Sequence, residues 1–238
     1  MQQLPPLAIV IPAAGVGKRM QSALPKQYLT LKDKTVIEHT LAVFQALPYV
    51  SKIVIALSEG DEIFSSLPEI NLDKVLIVTG GKERADSVLK GINAINEKEV
   101  EWVMVHDAAR PCVLEKDITK LYLHCLTNDK PGILASLVRD TMKRGNNNKI
   151  ESIDSTVERA NLWHALTPQC SRVIDLKNAI VQQTNNKGLV NDKITDEASA
   201  LELAGHEVLL MESSVKNIKI TMPEDLELAE FYLAGKNK

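Results

Sequence analysis

A mostly parallel α/β sheet with helices on both faces is the fold the sequence predicts, and three observations carry it. Short β-branched runs recur along the chain. Amphipathic stretches, with apolar residues every three or four positions, separate them. The runs themselves are apolar on both faces rather than alternating, as in strands of a parallel sheet whose crossover helices cover each side. At 238 residues and 45% hydrophobic content, the chain has the size and core material of one domain spanning 1–238.

In order, the predicted strands are "LAIVI" (Leu7–Ile11), "KIVIAL" (Lys52–Leu57), "KVLIVTG" (Lys74–Gly80), "EWVMVHD" (Glu101–Asp107) and "GILASLV" (Gly132–Val138). Helical periodicity fills Thr35–Leu47, Glu83–Ile95 and Glu115–Leu126. The segment Arg139–Gln169 then breaks the pattern. It is polar, carries consecutive asparagines and reads as extended arms around a turn, an excursion from the sheet. Beyond it the spacing predicts a helix through Ser171–Thr184, a Gly/Asn-rich loop and a helix in Thr195–Gly205. Two short strands, "EVLLMES" and "NIKIT", and a terminal helix opened by Pro223 complete the chain. In a parallel sheet ligands bind beyond the carboxyl ends of the strands, which selects the loops after Ile11, Thr79 and Val105 for one shared site.

Composition excludes several classes. A net charge of −3 and a pI near 6.0 do not supply the broad basic footprint of a nucleic-acid-binding surface. The opening "MQQLPPLAIV" lacks the basic and long apolar regions of a signal peptide, and no run is long enough to span a bilayer. A cytoplasmic protein is expected. Cys112, Cys125 and Cys170 lack CxxC spacing and read as small buried hydrophobes.

The first candidate site is "IPAAGVGKRMQSALPKQY" (Ile11–Tyr28). A Walker loop requires Gly where Pro12 stands and Ser or Thr where Arg19 stands, and a dinucleotide fingerprint requires Gly where Met20 stands. What remains is a small-residue turn, Ala13-Ala14-Gly15, whose backbone N–H groups can face an anion, with Arg19 and Lys26 as nearby cations. That combination suits a triphosphate.

The second is "VHDAARP" (Val105–Pro111), where Asp107 stands beyond a strand end and can reach Mg²⁺ on bound phosphates. Ala108 and Ala109 allow close approach of a ligand, Arg110 offers a forked donor, and His106 reads as orienting the turn. The third, "GGKERADSVLKG" (Gly80–Gly91), places two glycines at a strand end before a helix: either a plain βα turn with good helix-start chemistry, or a rim of backbone groups that, with Ser87, can bond a nucleobase.

Taken together, "AAGVGKRM…LPKQY", "GGKERADSV", "HDAARP", "RDTMKR", "WHALTPQ", "TDEASALE" and "NIKIT…PEDLELAE" resemble, in order and through essentially the whole chain, the 2-C-methyl-D-erythritol 4-phosphate cytidylyltransferases of the non-mevalonate isoprenoid pathway. The resemblance implies a Rossmann-like sheet of the nucleotide-diphospho-sugar transferase type. It implies attack of the methylerythritol phosphate on the α-phosphorus of CTP, with Mg²⁺ as cofactor.

By the same resemblance, Arg19 and Lys26 stabilise the transition state. Ala13, Ala14, Gly15, Gly17, Gly81, Ser87, Asp107 and Ala108 surround the nucleotide. Arg159 and Lys219 position the polyol phosphate, with Arg110, Thr141 and Thr167 beside it. Family members are homodimers whose arm, here 139–169, enters the partner's site, so Thr141 and Arg159 are expected to act in trans. "KNIK" (Lys216–Lys219) offers no late carboxylate, which leaves Asp107 and phosphate oxygens for the metal. A cytidylyltransferase for ribitol 5-phosphate shares the loop and arm plan, and a catalytically silent nucleotide-binding module is a rival of another class. Ala108-Ala109 favours methylerythritol phosphate over ribitol phosphate. The chain stops soon after "AEFYLAGKNK", so no fused downstream synthase is expected.

Overall fold

The computed structural model describes residues 4–15, 20, 24–68, 70–146, 152–184 and 194–235. Its strands and helices are β1 (Leu7–Pro12), β2 (Thr30–Leu31), β3 (Lys34–Thr35), α1 (Val36–Gln45), β4 (Val50–Leu57), β5 (Val75–Thr79), α2 (Arg84–Asn93), β6 (Trp102–Val105), α3 (Glu115–Asn128), β7 (Gly132–Leu137), β8 (Met142–Gly145), β9 (Ile153–Val157), β10 (Trp163–Arg172), α4 (Val173–Gln182), α5 (Glu197–Leu203), β11 (Leu209–Glu212) and α6 (Glu224–Ala234). The Gly/Asn-rich loop at 185–193 and the turn of the arm at 147–151 lie outside the described residues.

The central sheet has seven strands in the order β11-β7-β10-β6-β1-β4-β5. Neighbours are parallel except at β10, which runs antiparallel to both β6 and β7. The alternation of side chains along β1 builds both faces. Leu7, Ile9 and Ile11 pack with Ile37, Leu41 and Phe44 of α1 and with Ile118, Leu121 and Tyr122 of α3. Ala8 and Val10 pack with Val88 and Ile92 of α2, Leu176 and Ile180 of α4 and Leu201 of α5. With every residue from Leu7 to Ile11 fully buried, β1 is the spine on which the carboxyl-end loops are hung.

Local chemistry fixes where the helices begin. Thr35 accepts from Glu38 N while Glu38 bonds back to the Thr35 backbone, a capping box that starts α1; Asp196 and Ser199 repeat it at α5. The Glu83–Asp86 box opens α2 directly after Gly80-Gly81.

Two expectations are corrected. The arm is shorter than 139–169, because Trp163 pairs with Leu137 and the chain from there re-enters the sheet as β10; only β8 and β9 form a separate two-stranded sheet. "LTPQCS" reads as polar, but Thr167, Gln169 and Ser171 are buried, the first two with hydrogen-bond partners that offset their desolvation. "NIKIT" forms no strand. Its backbone is bound piecemeal instead: Ile220 N donates to Ala109 O (2.8 Å), and the carbonyls of Asn217 and Ile220 accept from Arg110 and Lys26.

Candidate active site

The carboxyl ends of β1, β4, β5 and β6 carry loops stitched to one another. Ala13 N donates to Ala56 O (2.8 Å), Gly80 N to Leu57 O (2.7 Å) and His106 N to Val10 O (3.0 Å). Gln27, buried, donates to Ala13 O at 2.8 Å and holds the small-residue turn from behind. Glycine is required at 80, where an added Cβ would stand 2.5 Å from Ala14 Cβ. Together these loops line an open cleft: Pro12 to Gly15, Lys26, Gln27, Gly81 to Arg84, Ser87, Asp107 to Ala109, and Lys219.

The cleft floor is a charge cluster centred on Asp107, which is 6% exposed. Its Oδ1 accepts from Arg84 Nε (3.1 Å), and its Oδ2 faces Arg110 Nε (3.1 Å) and Lys219 Nζ (3.0 Å). Burial alone would raise the Asp107 carboxyl, but Arg84, Lys219 and Arg110 outweigh it and hold it well below the usual carboxylate range. Arg84 is gripped on its other edge by Glu197, Nη1 to Oε1 at 2.6 Å and Nη2 to Oε2 at 3.1 Å. Burial disfavours its charge, and the two carboxylates reverse that and raise the guanidinium above its ordinary value. With Lys26 nearby, its Nζ 3.0 Å from Ile220 O, cations outnumber carboxylates and the floor is net positive.

Beneath the floor, His106 is fully buried, and its Nε2 lies 3.1 Å from Arg110 O, so that nitrogen must carry the proton. Nδ1 then accepts from the Thr167 hydroxyl (3.0 Å), whose oxygen accepts in turn from Asp107 N (3.2 Å). Desolvation is the largest influence on the ring and pushes its pKa down to about 4, so His106 is neutral and structural rather than a proton carrier.

A family model described as 2-C-methyl-D-erythritol 4-phosphate cytidylyltransferase, IspD, matches residues 7–235. The chain belongs to the IspD family. A relative of that name from Aliivibrio fischeri strain MJ11 is 49% identical over 236 residues, 98% of this chain and 97% of the relative. One from Vibrio parahaemolyticus is 51% identical over 226 residues, 94% of each. A solved structure of the Francisella tularensis 2-C-methyl-D-erythritol 4-phosphate cytidylyltransferase superposes with a TM-score of 0.81 at 38% identity, covering 95% of this chain and 99% of that chain.

Of the residues that the IspD resemblance singled out, Ala13, Ala14, Gly15, Lys26, Gly81, Ser87, Asp107, Ala108 and Lys219 converge on the cleft. Ser87 does so as a brace, its Oγ accepting from Gly81 N (3.0 Å) and donating to Glu83 O (3.2 Å). Arg110 and Thr167 are buried under the floor rather than along its wall. Thr141 and Arg159 are exposed and border a separate depression on the arm, where Arg159 donates to the Arg139 carbonyl. Gly17 and Arg19 lie outside the described residues.

Sequence reading missed Arg84, Glu197, Gln27 and Asn217. Arg84 and Glu197 stood inside the quoted "GGKERADSV" and "TDEASALE", but their ion pair spans 113 positions and nothing local announces it. Asn217 joins two site loops, its Nδ2 donating to Thr167 O (2.7 Å) and its carbonyl accepting from Arg110.

Asp107 is the residue expected to meet a metal together with phosphate oxygens; in this structure both of its oxygens face cations, and among the described residues no group of three or more His, Cys, Asp and Glu side chains is placed to hold an ion by itself.

Proposed function

We propose that this chain transfers the cytidylyl group of CTP to 2-C-methyl-D-erythritol 4-phosphate, giving CDP-methylerythritol and pyrophosphate. The observation that carries the reading is the net-positive floor, with Lys26 and Lys219 on one cleft beside a turn of small residues. A substrate phosphate oxygen attacks the α-phosphorus in line, a new P–O bond forms, and the bond to the β-phosphate breaks as pyrophosphate leaves. Such a reaction asks the protein to align reactants and offset developing negative charge, not to supply a nucleophile.

Lys26 is suited to the α-phosphate because it lines the same cleft as the Ala13–Gly15 turn and Lys219, while Asp107 orients Lys219 for the polyol phosphate. Arg19 joins Lys26 in the reading. Arg110 and Thr167 support Asp107 from below. Mg²⁺ is read as a companion of the triphosphate, held chiefly by phosphate oxygens and waters, since both oxygens of Asp107 already face cations.

The reading includes a homodimer in which Thr141 and Arg159 of one chain serve the other chain's cleft. Its support is their exposure on the arm, apart from their own cleft. It also includes a cytoplasmic setting, in keeping with three buried free cysteines and with no helix among the described residues long and apolar enough to cross a membrane.

The test is pyrophosphate release from CTP with methylerythritol 4-phosphate, with ribitol 5-phosphate, and with either one plus EDTA. Turnover with the first alone, abolished by EDTA, is the expected pattern. Faster turnover with ribitol phosphate, or none with either, overturns the substrate assignment.

A further inference from the structure

Glu197 does not line the cleft, yet it is the most completely committed carboxylate beside it. It opens α5, is 3% exposed, and gives one oxygen to each terminal nitrogen of Arg84. The Nε–H, on another edge of the guanidinium, goes to Asp107. One planar cation thus joins a helix start late in the chain to the carboxylate at the centre of the site.

Glu197 is itself fixed from two sides. Asp196 caps α5 through Ser199 N (2.9 Å), and Gln169 of β10 donates to Asp196 Oδ2 (2.9 Å) while accepting from Ala198 N (2.8 Å). A helix start pinned in this way cannot follow Arg84 if the guanidinium moves. Arg84 has somewhere else to go. Its side chain is 29% exposed and borders the cleft, where a triphosphate would be the largest nearby negative charge.

We propose that Glu197 is a positioning residue for cytidylyl transfer, acting through Arg84: its two-point grip keeps Arg84 turned to Asp107 and away from the nucleotide, so that Asp107 keeps Lys219 aligned. The inference rests on the function proposed above. Removing the grip has two consequences, both with the same kinetic sign. Arg84 carries its full charge onto Asp107 and loosens Lys219, or it swings to the phosphates and binds CTP as well in the ground state as in the transition state. In each case turnover falls without loss of CTP affinity. A purely structural role predicts something else, with affinity and turnover declining together as the fold weakens.

Glu197→Gln keeps the shape of the side chain and removes its charge. The expected result is a kcat lower by about 10- to 100-fold, the range seen when a partner that orients a functional side chain is lost. The calorimetric Kd for CTP should stay within about threefold of wild type, or tighten, and combining the change with Arg84→Gln should slow the enzyme no further than Arg84→Gln alone. Arg84→Lys is the second variant, and carries the test if Glu197→Gln does not fold: an ammonium can meet Glu197 or Asp107 but not both in this geometry, so the same split is expected.

A Glu197→Gln or Arg84→Lys enzyme with kcat within about twofold of wild type overturns the proposal, as does a matched loss of kcat and CTP affinity. Wild-type protein that binds CTP but releases no pyrophosphate with methylerythritol phosphate overturns the function itself and the inference with it. Normal wild-type turnover beside unchanged variants overturns the inference alone.

Discussion

Lys219 Nζ stands 3.0 Å from Asp107 Oδ2, pairing a half-buried cation from the segment before α6 with a buried carboxylate just beyond the end of β6. The pair is one arm of a cluster in which Arg84 and Arg110 hold the same carboxylate.

Asp107→Asn should therefore act on stability before it acts on chemistry. It leaves Arg110, itself 9% exposed, without a counter-charge, and loss of one partner from a buried ion pair costs about 3–5 kcal/mol. Urea denaturation followed by circular dichroism measures this. A loss below about 1 kcal/mol would place the cluster in the class of solvent-screened pairs instead.

Lys26→Ala should divide the two kinetic constants. An interaction that strengthens as charge develops in the transition state typically accounts for about a hundred- to a thousand-fold in kcat when lost. CTP affinity, carried in this reading by the backbone of Ala13 to Gly15 and Gly81 as well, should change far less. Calorimetry and saturating-substrate turnover on the same preparation decide it, and near-normal kcat removes Lys26 from the catalytic role.

Acid stability should fall in two windows. His106 has a pKa near 4 when folded against an ordinary value of 6.5, so between those values the unfolded chain binds the extra proton and stability drops as pH falls. The expected loss is about 3 kcal/mol. Asp107 is depressed from an ordinary 3.8, so the stability it contributes is present above that pH and lost below it. His106→Gln should flatten the upper window and leave the lower one. Equilibrium unfolding from pH 7 to pH 3 tests both, and an unchanged upper slope would mean that other groups set it.

The sheet was legible because its strands are apolar on both faces, a signal that Leu7–Ile11 of β1, Ile53–Leu57 of β4 and all of β6 carry without interruption. β10 was not, since Thr167, Gln169 and Ser171 look like surface residues until their buried partners are seen. The cleft followed from strand-end logic, and the residues around Ala13, Gly81 and Asp107 meet there. The supports escaped notice for a different reason. Arg84 with Glu197, and Asn217 with Thr167, are contacts between distant segments, which no spacing rule encodes.

Arm function is best tested by subunit exchange. Ile153 is 64% exposed and Met142 37% exposed on the β8–β9 sheet, apolar surface that its own chain leaves uncovered. If that surface meets a second copy and Arg159 serves the partner's cleft, mixing inactive Arg159→Ala and Lys26→Ala proteins rebuilds one intact site per mixed dimer. Random pairing should restore about a quarter of wild-type specific activity. Mixed dimers confirmed by mass but without activity would assign Thr141 and Arg159 to their own chain.

The position of β10 also sets the order in which the protein can be assembled as it is made. β7 and β11 reach the rest of the sheet only through β10, which is inserted between β6 and β7 after both have been synthesised. Until that strand leaves the ribosome, a nascent chain can form only the β6-β1-β4-β5 part of the central sheet, with the hydrogen-bonding groups of β6 open along one side. An unpaired, fully buried-type strand is a template for wrong pairing, so the interval between completing β6 and delivering β10 is the stretch of synthesis in which this chain most needs protection from its neighbours.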